Sequence, residues 1–381
     1  MKKILLRLFF ISILAHQHIS TFAQDSSRLR ISLLTCTPGE ELYSTFGHSA
    51  LRVIDSSASK DIVFNYGTFD FDDPDFYSKF VKGKLMYFVS TEYFKDFKEE
   101  YQLSNRGITE QVLKLTIEEK TAVQKFLYHN AKEENKYYKY DFLFDNCTTR
   151  LRDIIVLNKK TKPVFKNVMP EGTTFRQAIH EYLDKNDKEW AKLGIDILLG
   201  APTDAVMTTE QQQFLPENLM KAFDSTGNLV ASSSSLYAYQ KQSESKSWFN
   251  PLIIFSLLLL FTVLLDLSKN KFAAGFLKFF DILLFLVAGA LGILLLFMWF
   301  GTDHAMCKSN YNLLWAWPTH FIAAFFISKK KNWVKKYLLI TVIGLLIFLA
   351  AWFFLPQQLN TSLLAIALLL LYRSLRKYQQ V

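Results

Sequence analysis

Residues 139–155 read KYDFLFDNCTTRLRDII, and this stretch decides how the first two thirds of the chain are understood. Asp145 or Asn146 carries a short side-chain oxygen able to accept the orphan amides of a helix start. The spacing predicts a helix from Cys147 to Leu157, with Cys147 in its first turn. Unpaired amides and the helix dipole lower a thiol pKa at that position, and the thiolate is the attacking form of cysteine. Upstream the pattern is different. Short β-like runs occur at Leu29–Thr35, Ala50–Ile54, Ile62–Thr68, Leu85–Ser90 and Thr109–Leu115, followed by a helical pattern at Ile117–Glu134. Further helices are expected at 174–184, 187–199 and 208–223. Strands followed by helices indicate an α+β domain, and residues 24–247 are long enough to build its core.

The remaining third has another character. Residues 248–381 contain twelve Lys and Arg but only three acids, Asp266, Asp281 and Asp303, so this segment carries 12 − 3 = +9, the net charge of the whole chain. The excess therefore does not form a basic surface on the α+β domain, which argues against a nucleic-acid partner. Apolar stretches lie near 249–267, 279–300, 311–328, 337–355 and 359–373, which predicts an all-α transmembrane bundle of about five helices. With the α+β domain outside, every cation of the segment but Lys308 falls on the inner side, as the positive-inside rule requires. Trp248, Trp315 and Trp317 are expected near helix ends at the interface. The opening MKKILLRLFFISILAH…TFAQD has the basic, apolar and small-residue order of a signal peptide over residues 1–23. The Ser-rich stretch Ser232–Ser235 and the polar stretch Gln240–Ser247 read as the approach to the membrane. Localisation is therefore expected in the bacterial cytoplasmic (inner) membrane, with the 24–247 domain facing the periplasm and 248–381 in the bilayer.

Candidate chemistry narrows by elimination. No CxxC, HExxH, GxSxG or P-loop pattern occurs, so neither a metal nor another cofactor is expected. Of the seven histidines, His16 and His18 belong to the signal peptide, His129 and His180 sit among polar residues, and His304 and His320 belong to the membrane part. His48 remains, in STFGHSALRV (44–53), where a strand begins. A base delivered by a strand to a thiol on a helix start is the generalised Cys–His arrangement. The bland alternative is a Cys36–Cys147 disulfide, which an extracytoplasmic compartment permits. Cys307 reads as a loop thiol. His320, deep in the third apolar stretch, is either functional or a neutral histidine bonded to a neighbouring helix.

The stretches LLTCTPGEELYSTFGHSALRV, FNYGTFDF, SNRGITEQVLKLT, YKYDFLFDNCTTRLRD, TFRQAI and GIDILLG, with GTDH…NYNLLWAWPTH in the membrane part, resemble the Lnb-type lipoprotein N-acyltransferase family. The His-before-Cys order also resembles circularly permuted papain-like enzymes. The resemblance implies Cys147 as nucleophile and His48 as base, a phospholipid acyl donor and bacterial lipoproteins as acceptor. It also directs attention to the next strand, IVFNYGTF, for the group that orients the base: Asn65 first, Tyr66 second. Arg150 could bind a lipid phosphate or form a salt bridge, and His304, on an outer loop, could meet a headgroup or a substrate amine. A cell-wall amidase or peptidase uses the same chemistry, and a non-catalytic membrane sensor or assembly protein is the reading from a different class.

Overall fold

Among the residues described by the computed structural model (28–41, 44–238, 248–268 and 270–380), seven strands form one sheet. They are β1 (Leu29–Cys36), β2 (His48–Asp55), β3 (Lys60–Thr68), β4 (Met86–Tyr93), β5 (Ile108–Leu113), β6 (Tyr137–Lys139) and β7 (Val230–Tyr237). All pairings are antiparallel, in the order β6-β4-β3-β2-β1-β5-β7. Side chains alternate between faces, so each central strand serves two layers. Ile31, Leu33, Leu51, Val53 and Phe64 meet a main core built with α3 (Ile117–Asn130), α4 (Cys147–Asn158) and α7 (Pro216–Ser225). Leu34, Cys36, Ala50 and Val63 face Phe97 and Tyr101 of α2 (Phe94–Leu103). The expected α+β class holds: a mixed α/β domain precedes a helical one.

The helix starts are encoded locally. Thr116 and Glu119 close a capping box at α3, and Asn146 and Thr149 do the same at α4. Thr174 and Gln177 cap α5 (Phe175–Lys185) in the same manner. Three elements depart from expectation. Ser232–Ser235 is not an approach to the membrane but the middle of β7, paired with β5. A short helix, α1 (Phe76–Lys82), fills the β3–β4 connection, and α2 follows β4. The expected signal peptide and the stretch 240–247 lie outside the described residues.

The C-terminal domain contains α8 (Pro251–Leu267), α9 (Lys271–Phe300), α10 (Thr319–Ala324), α11 (Asn332–Ala351) and α12 (Ser362–Gln380). Two segments, Lys271–Phe300 and Asn332–Phe354, are long and apolar enough to cross a membrane. The expected third span, 311–328, is not one continuous helix: it is a 3-10 turn at Tyr311–Leu314, a break at Pro318, and the six residues of α10. It packs directly on α9, because a Cβ on Gly289 would collide with the Phe321 backbone and one on Gly292 with Ala316 and Pro318. Trp315 is buried here, its Nε1–H donating to Asn312 at 3.0 Å, and so is no interface anchor. The cations of the tail are not free either. Arg373 binds Asp281 at 2.6 Å, Lys377 binds Asp281 at 3.0 Å, and Arg376 joins Asp266. The acids of α8 and α9 thus tie α12 into the bundle.

A polar junction joins the two domains. Asp196, on α6 (Glu189–Leu198), is fully buried. It accepts from Arg176 at 2.7 Å, from His180 at 2.7 Å and from Asn360 of the membrane domain at 2.9 Å. Asn310 and Asn312 donate to the carbonyls of Ile197 and Asp196, satisfying the end of α6.

Candidate functional site

Cys147 is the first residue of α4, and Asn146 is its cap: the Asn146 Oδ1 accepts the amides of Thr148 and Thr149 at 2.8 Å each. Asn146 is itself held by donating Nδ2–H to the carbonyls of Phe142 and Phe214. The thiol is therefore fixed at the positive end of a helix dipole. His48 opens β2 directly after Gly47, whose φ of +82° and close approach to the Cys36 carbonyl exclude a side chain there. From this position the imidazole reaches the end of the sheet and comes close enough to the Cys147 thiol for each group to shift the other's ionisation.

The third expected residue is in place beside it. His48 Nε2 lies 3.1 Å from Asn65 Oδ1, and Asn65 Nδ2 donates to Glu92 Oε1 at 2.7 Å. Because the Asn65 amide spends its N–H on Glu92, its oxygen accepts from His48 Nε2–H. That leaves Nδ1 for Cys147 and determines the tautomer. A β-bulge between Asn65 and Thr68 interrupts the β3–β4 ladder here. Gly67, at φ +90°, passes over the site, with Cys147 and Tyr140 each 3.5 Å from where its Cβ would be.

The electrostatics follow from these contacts. Burial opposes ionisation of Cys147, but the hydrogen bond and charge of His48, aided by Thr148 and the Ser49 amide, outweigh it and lower the thiol pKa. Burial likewise opposes the imidazolium, yet the Cys147 contact and Asn65 raise the His48 pKa above its ordinary value. Each shift favours the charged form of its own group. Cys36, opposite His48 in the β1–β2 register, is pushed up to about 12 by burial, which the Arg106 charge and the Tyr101 hydroxyl only partly offset. All three cysteines are free, so the Cys36–Cys147 disulfide considered from sequence is not formed.

The other expected residues take different places. Tyr66 is fully buried in the main core and donates to Asn130 at 3.2 Å, so the expected substrate contact is replaced by packing. Arg150 forms a two-pronged pair with Asp145 at 2.6 and 2.7 Å and lies over the Tyr138 ring at 3.5 Å, so its guanidinium braces the start of α4. His304 leaves the bundle to donate to the Phe80 carbonyl at 3.1 Å. His320 is fully buried, its ring nitrogens engaged by the Trp315 carbonyl and the Tyr337 hydroxyl, which is the bonded-neighbour alternative. Glu92 was not foreseen; its only signal is its register two residues beyond the Asn65–Ser90 pair. Among the described residues no cluster of His, Cys, Asp or Glu could hold a metal. An open depression of about 490 Å³ lined by Asp55, Lys60, Gln124 and Tyr128 lies at the far end of β2, away from this chemistry.

A mixed α/β domain that presents a polarised thiol, joined through buried polar contacts to an apolar helical domain, defines a membrane protein with a periplasmic domain. The comparisons give it a family. Residues 16–181 match the model of the Lnb N-terminal periplasmic domain and residues 242–381 that of the Lnb transmembrane domain, and the chain belongs to the Lnb family. No curated protein and no solved structure matches it.

Proposed function

We propose that the protein is an inner-membrane lipoprotein N-acyltransferase that moves an acyl chain from phospholipid, through a Cys147 thioester, to the α-amine of a diacylglyceryl-cysteine lipoprotein. The observation that carries this reading is the meeting of Cys147, at a capped helix start, with His48, whose imidazole bonds Asn65 while Asn65 bonds Glu92. His before Cys in the chain is also the order of permuted papain-like domains, a fold relationship that belongs to the same proposal.

In the first step the Cys147 thiolate attacks an ester carbonyl of the phospholipid. The C–S bond forms, the ester C–O bond breaks, and His48 gives its proton to the departing lyso-lipid oxygen. The Cys147 amide, first of the helix and without an intrahelical partner, is placed to stabilise the oxyanion. In the second step the lipoprotein amine attacks the thioester, neutral His48 takes the amine proton, and the thiolate leaves. The product is an amide, and the site returns to its starting charge. Asn65 keeps Nδ1 of His48 directed at sulfur throughout. A membrane domain beside the site supplies proximity, because donor and acceptor are both lipids of the outer leaflet.

The test is mass spectrometry of lipoprotein N-termini from cells whose only copy carries Cys147→Ala. N-acylation is expected to be lost, with diacylated free-amine lipoproteins accumulating; retained N-acylation would reject the reading. Release of peptidoglycan fragments by the purified full-length protein, without lipid, would replace it with the amidase reading.

A further inference from the structure

The β3–β4 connection runs FDFDDPDFYSKFVKGK, residues 69–84, and has no role in holding the thiol. It begins two residues after Gly67, which lies over Cys147. Its apolar side chains are concentrated and exposed: Phe71 is 63% exposed, Tyr77 81%, Phe80 50% and Val81 42%. Single exposed apolar residues are ordinary, but a cluster on one short segment marks a contact surface. Tyr77, Phe80 and Val81 stand at i, i+3 and i+4 of α1, so they share one face of the helix.

Two further observations say what that face meets. First, the segment is fastened to the membrane domain at its outer loop. The Asp303 amide donates to the Lys82 carbonyl at 2.9 Å, His304 donates to the Phe80 carbonyl at 3.1 Å, and Lys139 beside it pairs with Asp303 at 2.9 Å. That loop directly follows Phe300, the end of a membrane-crossing helix, on the side opposite the lysine-rich loop 329–336. The aromatic face is thus held at the outer edge of the bilayer, where Tyr and Phe partition well. Second, an unbroken row of rings joins this face to the thiol. Phe80 stacks on Phe76 (6.1 Å between centroids), Phe76 meets Phe69 (5.8 Å), Phe69 meets Tyr87 (5.3 Å), and Tyr87 stacks on Tyr140 (4.4 Å). Tyr140 and Cys147 then flank Gly67.

We propose that residues 69–84 form an aromatic finger that enters the outer leaflet and binds a phospholipid acyl chain, guiding it along Phe69, Tyr87 and Tyr140 to Cys147. The guidance rests on the acyl-transfer reading above; the lipid contact does not. The charges of the finger fit a zwitterionic headgroup. Asp73 is neutralised by Lys79 at 2.7 Å, whereas Asp70, Asp72 and Asp75 are exposed, as are Lys82 and Lys84 further along the segment, so that carboxylates are offered to an ammonium group.

The finger can be tested on the full-length protein reconstituted in phosphatidylethanolamine vesicles with radiolabelled acyl chains. A photo-reactive benzoylphenylalanine at Tyr77 is expected to cross-link acyl label at least tenfold above one at Val164. Val164 is 82% exposed but lies past the far end of α4 from Cys147. In parallel, the triple variant Phe71→Ser/Tyr77→Ser/Phe80→Ser should load acyl label onto Cys147 at least tenfold more slowly. Its unchanged alkylation of Cys147 by iodoacetamide would show the thiol site intact. Equal cross-linking at the two positions, or wild-type loading by the triple variant, overturns the proposal. Cross-linking at Tyr77 with no acyl loading in the wild-type protein upholds the lipid contact and rejects the acyl-transfer reading instead.

Discussion

Two half-buried histidines, each with an asparagine and a carboxylate nearby, sit in opposite circumstances. At the domain junction His180 contacts the Asp196 carboxylate directly, and Arg176 and Asn360 complete its coordination. At the thiol site the asparagine comes between: His48 meets Asn65, and only Asn65 meets Glu92. The order of the groups decides what each cluster does. A carboxylate in contact with an arginine and an imidazole is satisfied, and its pKa is lowered: burial opposes this, but His180 and Arg176 outweigh it. Such a cluster holds two domains together. An amide in contact with an imidazole orients it and leaves the other ring nitrogen available, which the proposed mechanism uses for proton exchange with sulfur.

The sharpest way to break the comparison is to remove the imidazole that should do chemistry. His48→Ala is expected to lower acyl loading of Cys147 by about 10²- to 10⁴-fold, the range of a positioned acid–base group. The pH dependence should change with it. In the wild-type protein the alkylation rate should rise as pH passes a thiol pKa lowered by His48, and the help from a protonated His48 is lost when pH exceeds the raised His48 pKa. In the variant burial, which raises the thiol pKa, is opposed only by Thr148 and the Ser49 amide, so the midpoint should move up. A rate–pH profile with iodoacetamide measures this. An unmoved midpoint would mean that His48 does not polarise the thiol.

The junction makes the converse prediction. Asp196→Ala leaves Arg176 and His180 without their shared carboxylate in a buried setting, a loss of about 3–5 kcal/mol for a broken buried pair. Thermal unfolding of the detergent-solubilised chain should shift down accordingly. The alkylation midpoint of Cys147 should stay in place, because no hydrogen bond links the two clusters. If the midpoint moved as far as it does in His48→Ala, the separation between holding and reacting would fail.

Next in size is Asn65→Ala, which frees the imidazole to turn. A misplacement of about 1 Å can cost about 10²-fold in rate, so a decrease of that order is expected in acyl loading. Protein stability should change much less, since Asn65 stands at the sheet's end on a bulge.

These cases also show what was legible in the sequence. The helix start at Cys147 could be read because Asn146 caps locally, and His48 was singled out because few histidines remained. Asn65 followed only from the family resemblance. The junction was not legible: His180 and Asp196 are sixteen residues apart on different helices, and Asn360 comes from the other domain. β7 was misread for a physical reason. It is an edge strand exposed along Ala231–Ser235, so VASSSSLY lacks the apolar alternation that marks a half-buried strand. The interruption of the third apolar stretch was not foreseen because counting apolar residues does not register the break at Pro318, where the α9 glycines let an irregular backbone approach.

The smallest expected effect refines the comparison most, because it concerns the carboxylate itself. Glu92 is half-buried, and its pKa is raised by burial and by Glu100, despite the hydrogen bond from Asn65. If its role is to anchor the Asn65 amide, Glu92→Gln keeps an acceptor oxygen and should slow acyl loading by only about two- to tenfold, the worth of one hydrogen bond. Glu92→Leu removes the acceptor and should approach Asn65→Ala. If the charge of Glu92 mattered directly to His48, as that of Asp196 does to His180, Gln and Leu would be equally damaging. Both would also lower the His48 pKa. Rates for the two variants, with the imidazole titration followed by NMR, separate an anchored amide from a second carboxylate–histidine pair.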